Sequence, residues 1–208
     1  MWKVLGALAC ACAATLAVQA PAAVLEAGYA GGNANDGIMF DLFASSDVVI
    51  QSFDINADFG TYDYSVYYRA GGVSGAQEDP SGWSLLGSFD ALTTAGLGSA
   101  TTLDIADLGL GSGLYGFYIT DSGAFSINYG NSLTPSGSVQ ATSGPLELRV
   151  GYGVAAPFAG ATSDRAFNGA VNFSAVPEPA SWMMMIVGFG AAGAVSRRRS
   201  AVALPARI

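Results

Sequence analysis

Apolar and polar residues alternate with a period of two along much of the chain. The run at 47–56 turns into an alternating pattern that places Phe53, Ile55 and Ala57 on one face and Asp54, Asn56 and Asp58 on the other. Residues 61–69 repeat it, with Tyr62, Tyr64, Val66 and Tyr68 facing inward and Asp63, Ser65, Tyr67 and Arg69 facing outward. Shorter runs at 38–43, 83–89, 101–105, 114–120, 125–129, 146–150 and 167–173 have strand composition, and Gly, Ser, Asn and Pro clusters separate them. About nine short strands without a convincing helix predict an all-β, antiparallel β-sandwich or jelly-roll-like single domain. Residues 71–80 and 131–145 are expected to form long, mobile loops. At 83–89 the period puts Trp83 and Leu85 on one face, read as core, and Leu86 on the other.

The two ends break this pattern. Lys3 precedes an apolar run from Val4 to Val18, then Ala20-Pro21-Ala22-Ala23. A basic start, an apolar centre and small residues form the layout of a signal peptide helix at 1–22, which signal peptidase would cut after Ala22. Cys10 and Cys12 lie inside it, so the mature chain is expected to lack cysteine. At the other end Val176-Pro177-Glu178-Pro179 precedes Trp182, an apolar run from Met183 to Val195, and Arg197, Arg198 and Arg199. A helix at 180–199 would be about 30 Å long, the thickness of a bilayer core. The arginines predict that its far end, with a tail at 200–208, stays cytoplasmic. Residues 23–175 then form one extracytoplasmic domain.

Charge narrows the function. Only 12% of the residues are charged and there is no histidine. This excludes His-based triads and His-ligated zinc. Within 23–175, fifteen acids face only Arg69, Arg149 and Arg165, a net charge of −12. Such a surface repels nucleic acid and other polyanions.

Pro177-Glu178-Pro179, Trp182, Met184-Met185-Ile186, Gly188-Phe189-Gly190, Gly193 and the arginine cluster together resemble the PEP-CTERM sorting signal of Gram-negative bacteria. The resemblance covers about residues 176–199. It implies an inner-membrane anchor with the domain in the periplasm, then processing near Pro177-Glu178-Pro179 by an exosortase, a membrane cysteine protease. It also implies delivery to the cell surface or extracellular matrix, in association with exopolysaccharide and biofilm. The extra segment 200–208 departs from the pattern, since such chains usually stop soon after the arginines. The domain itself is similar to a recurrent bacterial extracellular β-module of unassigned activity. Met39-Phe40-Asp41-Leu42, Gly82-Trp83-Ser84-Leu85 and Tyr115-Gly116-Phe117-Tyr118 carry part of that likeness.

Three further patterns bear on chemistry. Asp54, Asn56 and Asp58 followed by Gly60 are spaced like the first half of a Ca²⁺ loop. On a strand the same spacing puts polar residues on the solvent face, which is the preferred reading. Glu78-Asp79 and Glu147 are the non-terminal candidates for a glycosidase pair, which requires carboxylates about 5–10 Å apart. Tyr67 and Trp83 have the aromatic character of sugar-stacking platforms. The preferred reading is an exported, non-enzymatic surface or matrix protein that requires no cofactor. The alternative is a carbohydrate-binding module or a carbohydrate-active enzyme whose partner is an extracellular polysaccharide.

Overall fold

A computed structural model of the chain describes residues 21–121, 123–176 and 179–200. The expected leader at 1–20 and the tail at 201–208 lie outside the described residues. The domain is a sandwich of two antiparallel sheets. The smaller runs β1 (Ala22–Gly28), β13 (Gly169–Ala175), β4 (Val48–Asn56), β7 (Ala100–Leu110). The larger runs β2 (Asn33–Asn35), β9 (Ile127–Asn131), β12 (Ala159–Ala166), β11 (Leu146–Ala156), β3 (Gly37–Ala44), β8 (Gly113–Asp121), β5 (Thr61–Ala70), β6 (Ser84–Thr93), and β10 (Val139–Ser143) also pairs with β11.

Alternation builds the space between the sheets. Phe53, Ile55, Leu103, Val171 and Phe173 of the smaller sheet meet Phe40, Leu42, Tyr64, Val66, Phe117 and Ile119 of the larger. Phe40 is the hub of an aromatic cluster, with ring centroids 4.5 Å from Phe167, 5.9 Å from Phe53 and 5.9 Å from Phe117. The domain has no disulfide, since both cysteines of the chain lie within the first twelve residues. Packing in this layer therefore has to offset the conformational entropy lost on folding.

Four strands have no counterpart in the sequence pattern: β1, β2, β10 and β12. They are rich in Ala, Gly, Ser and Asn and carry few large apolar side chains, so period two leaves no trace. The expected long loop at 131–145 therefore contains β10. In β6 two register shifts against β5 break the alternation, so the inward-packed Leu86, Phe89 and Leu92 fall three apart. Leu86 packs against the main core, and Leu85 is 55% exposed on the outer face.

In β11 the alternation itself breaks. Arg149 pairs with Asp41, but the next pair on β3 joins Tyr152 to Met39. Three steps on β11 therefore match two on β3, which is a β-bulge. Leu146 and Leu148 face the main core, whereas Val154 faces outward. Gly151 occupies the bulge, where a Cβ would overlap the Met39 carbonyl oxygen.

Helix α1 (Pro179–Ser200) follows the sandwich. Its extent matches the expected 180–199, and Met183, Ile186 and Phe189 are exposed on it. Yet among the described residues no helix is long and apolar enough to cross a membrane, which corrects the expected transmembrane helix. The strictly apolar run from Met183 to Val195 covers about 20 Å at 1.5 Å per residue, short of the roughly 30 Å hydrocarbon core.

Two substitutions test this packing by urea denaturation. Phe117→Ala is expected to cost about 3–5 kcal/mol, as for a fully buried aromatic. Gly151→Ala is expected to cost at least about 1–3 kcal/mol, because its new methyl group forces β11 away from β3.

Candidate functional site

The larger sheet has a second apolar surface, on the face turned away from the sandwich core, to which the bulge adds Tyr152 and Val154. Cross-strand register sets Tyr152 (β11), Met39 (β3), Tyr118 (β8), Tyr67 (β5) and Leu85 (β6) in one row. Met39, Tyr118 and Val154 are fully buried there, although they lie on the outer face. Two chain segments cover them. The β11–β12 turn folds Phe158 over the row, 5.0 Å from Tyr118 and 5.4 Å from Tyr67 between ring centroids. Phe158 holds a left-handed backbone (φ 55°) to do so, a conformation that is strained for a bulky residue. The β5–β6 loop supplies Val73 and Trp83.

The β5–β6 loop, expected to be mobile, is fastened to the sheet. The Gly71 amide donates to the Leu114 carbonyl at 2.8 Å, and the Val73 amide donates to Asp41 Oδ1 at 2.7 Å. Gly72 and Val73 cross directly over Gly116, where a Cβ would stand only 3.0 Å from them. Trp83 Nε1 donates back to the Ala76 carbonyl at 3.1 Å. Asp41 is 8% exposed, and register places it in a row with Arg149, Gly116 and Arg69. Burial raises its carboxyl above the ordinary range, against the pull of the Val73 amide, Arg149 and Arg69. Arg69 lies over the Trp83 ring at 5.8 Å, and Arg149 lies over Phe43 at 5.2 Å while pairing with Glu147 at 3.0 Å.

The sugar-platform residues are thus both engaged in packing. Tyr67 stacks on Tyr118 at 5.9 Å, and Trp83 meets Tyr118 edge-on at 6.2 Å. Beside them, between the loop and β12, lies an open groove of about 580 Å³ lined by Gln77, Glu78, Asp79, Tyr152 and Ser163. Glu78 Oε1 accepts from the Gly160 and Ala161 amides at 3.1 and 3.3 Å, which ties the loop to β12. Asp79 accepts from the Ser81 amide and hydroxyl, each at 2.8 Å, bonds that hold its carboxyl below the ordinary range. Tyr152, Gln77 and Ser163 are groove residues that sequence reasoning did not single out. The continued spacing of Val150, Tyr152 and Val154 was the available signal, but Gly151 and Gly153 interrupt it.

The residues of the calcium pattern have separate partners. Asp54 accepts from Thr102 and Asn172. Asn56 is fully buried rather than on the solvent face, because Tyr29 and Gly98 close over it. Its amide donates to the Tyr29 carbonyl at 3.1 Å and accepts from the Gly98 amide at 2.9 Å. Asp58 accepts from Asn128 at 2.9 Å. Among the described residues no group of three or more acidic, His or Cys side chains is placed to hold a metal ion.

At the carboxyl end, β13 finishes at Ala175, and the Val176 amide donates to the Asp47 carbonyl at 2.9 Å. Helix α1 begins at Pro179, with Trp182 in its first turns, Gly188, Phe189 and Gly190 in its middle and Arg197, Arg198 and Arg199 in its last turn. Pro177 and Glu178 lie outside the described residues. Residues 175–199 match the PEP-CTERM protein-sorting motif. The PEP-CTERM motif implies export, transient anchoring at the C-terminus and processing by an exosortase. It starts at the last residue of the last strand, so the sandwich and the sorting segment abut. No curated protein matches the chain.

Two measurements test the capped face. Trp83→Ala is expected to cost about 1–3 kcal/mol by urea denaturation, less than a fully buried aromatic. A double-mutant cycle with Phe158→Ala should return about 0.5–1.5 kcal/mol of coupling. For Asp41, a carboxyl raised by folding stabilises most below its unfolded pKa, and that contribution is lost as pH rises through the folded value. Asp41→Asn, neutral throughout and still able to accept from Val73, should therefore gain melting temperature relative to wild type between pH 3 and pH 7. A relative loss over that range would mean that the arginines outweigh burial.

Proposed function

We propose that this chain is an exported, non-enzymatic surface or matrix protein, cut from its leader by signal peptidase, that works in contact with extracellular polysaccharide. The observation that carries the reading is the PEP-CTERM motif joined without a spacer to a single β-sandwich. Strand pairing supports it. Ala22, at the expected leader junction, pairs with Ser174, beside the motif, so both chain ends leave from the same end of the smaller sheet. On the capped outer face of the larger sheet, the groove beside Tyr152 stays open for contact.

The acids support a role without catalysis. Asp121 accepts from the Gly123, Ala124 and Ser126 amides and the Ser126 hydroxyl. Asp54, Asp58, Glu78, Asp79 and Glu147 are likewise bonded to neighbours. With no histidine in the chain, few general bases remain. A second reading, a carbohydrate-binding module, is favoured by the groove beside Tyr152. Its two carboxylates already cap backbone amides, which suits binding better than glycosidic chemistry.

Mass spectrometry of protein released by a host with an active exosortase tests the sorting reading. The expected product begins at Ala23 and ends near residues 176–180. Released protein that still carries Ile208 would contradict it.

A further inference from the structure

We infer that the groove between the β5–β6 loop and β12 binds neutral sugar residues of a polysaccharide chain. This deepens the matrix reading above and rests on it.

The groove, at about 580 Å³, falls within the size range of small-ligand sites. Its walls are preorganised. Glu78 ties the loop to the start of β12, Asp79 caps Ser81, and the Asp41–Val73 bond holds the base of the loop. A ligand entering here therefore has little ordering to do at the walls.

The lining selects the chemistry. Gln77, Tyr152 and Ser163 present an amide and two hydroxyls, each able to donate and to accept. Sugar hydroxyls need both kinds of partner. Tyr152 adds a half-buried ring with a polar tip, the kind of side chain that suits a partly wet site. Glu78 and Asp79 contribute negative charge and no Lys or Arg lines the groove, so anionic sugars are disfavoured. A bound Ca²⁺ would need six to eight oxygens, and both carboxylates are already bonded to the protein. The groove is open to solvent, a shape that admits a segment of a longer chain.

The test uses the full-length protein in a detergent without a sugar headgroup. Isothermal titration with cello-, laminari- and mannotetraose is compared with trigalacturonate. At least one neutral tetraose should bind and trigalacturonate should not. The double variant Q77A/S163A should weaken binding by about tenfold or more, the loss expected for two hydrogen bonds. Its melting temperature should stay within about 2 °C of wild type, as for substitutions at a solvated surface. Absence of neutral binding, equal binding by the variant, or equal binding of trigalacturonate would overturn the proposal. Co-sedimentation with the insoluble parent polymers separates the two levels. Loss of the variant alone supports the groove. Retention of wild type and variant alike overturns the groove and leaves the matrix reading standing, whereas retention of neither overturns both.

Discussion

The extra residue in β11 reverses the direction of every side chain after it. Before the bulge, Leu148 points into the sandwich; after it, Tyr152 and Val154 point out. Only a glycine fits at position 151, because any side chain there meets the Met39 carbonyl. Without the bulge, Tyr152 and Val154 would fall on the inner face and the outer row would lose its β11 members. The bulge thus decides to which apolar layer the second half of β11 contributes.

The second layer converts a loop into structure. Residues 71–83 carry four glycines, one proline and two acids and have little intrinsic order. They are held because Val73 and Trp83 find apolar partners, Gly116 leaves room for the backbone to cross, and Asp41 supplies an acceptor for the Val73 amide. The buried carboxylate incurs a desolvation cost, which the amide bond and the nearby Arg69 and Arg149 reduce without cancelling it. The groove follows from the same arrangement, since one wall is this loop and the other is β12, reached through the turn that carries Phe158. A domain with a net charge of −12 can keep such a surface in solution while presenting neutral hydrogen-bonding groups in it.

Much of this fold was legible. Where large apolar residues alternate, as in β4 and β5, period two marked both the strand and its inward face, and in β3 and β8 the composition marked the strand alone. Phe53, Ile55, Tyr64 and Val66 lie where alternation put them. The sorting segment was legible for another reason: its signal is local and does not depend on tertiary contact. Strands of small residues were not legible, because β1, β10 and β12 are defined by what they pair with. Leu85 and Leu86 show a further limit. Alternation separates two faces but does not say which one meets the other sheet. The site was only half visible. Trp83 and Tyr67 pack against Tyr118 and Phe158 rather than line the groove, and no local signal announces that a loop will fold down over them.

The outer face of the larger sheet is a second packed layer, closed by the β5–β6 loop, on which the groove depends. Amide hydrogen exchange at Val73 tests it most directly, because that amide lies in a glycine-rich loop and is bonded only through Asp41. Exchange at Val73 as slow as that of core-strand amides such as Phe117 is the predicted result. Exchange at the rate of a solvated loop would show that the layer does not close and would remove the basis for the groove.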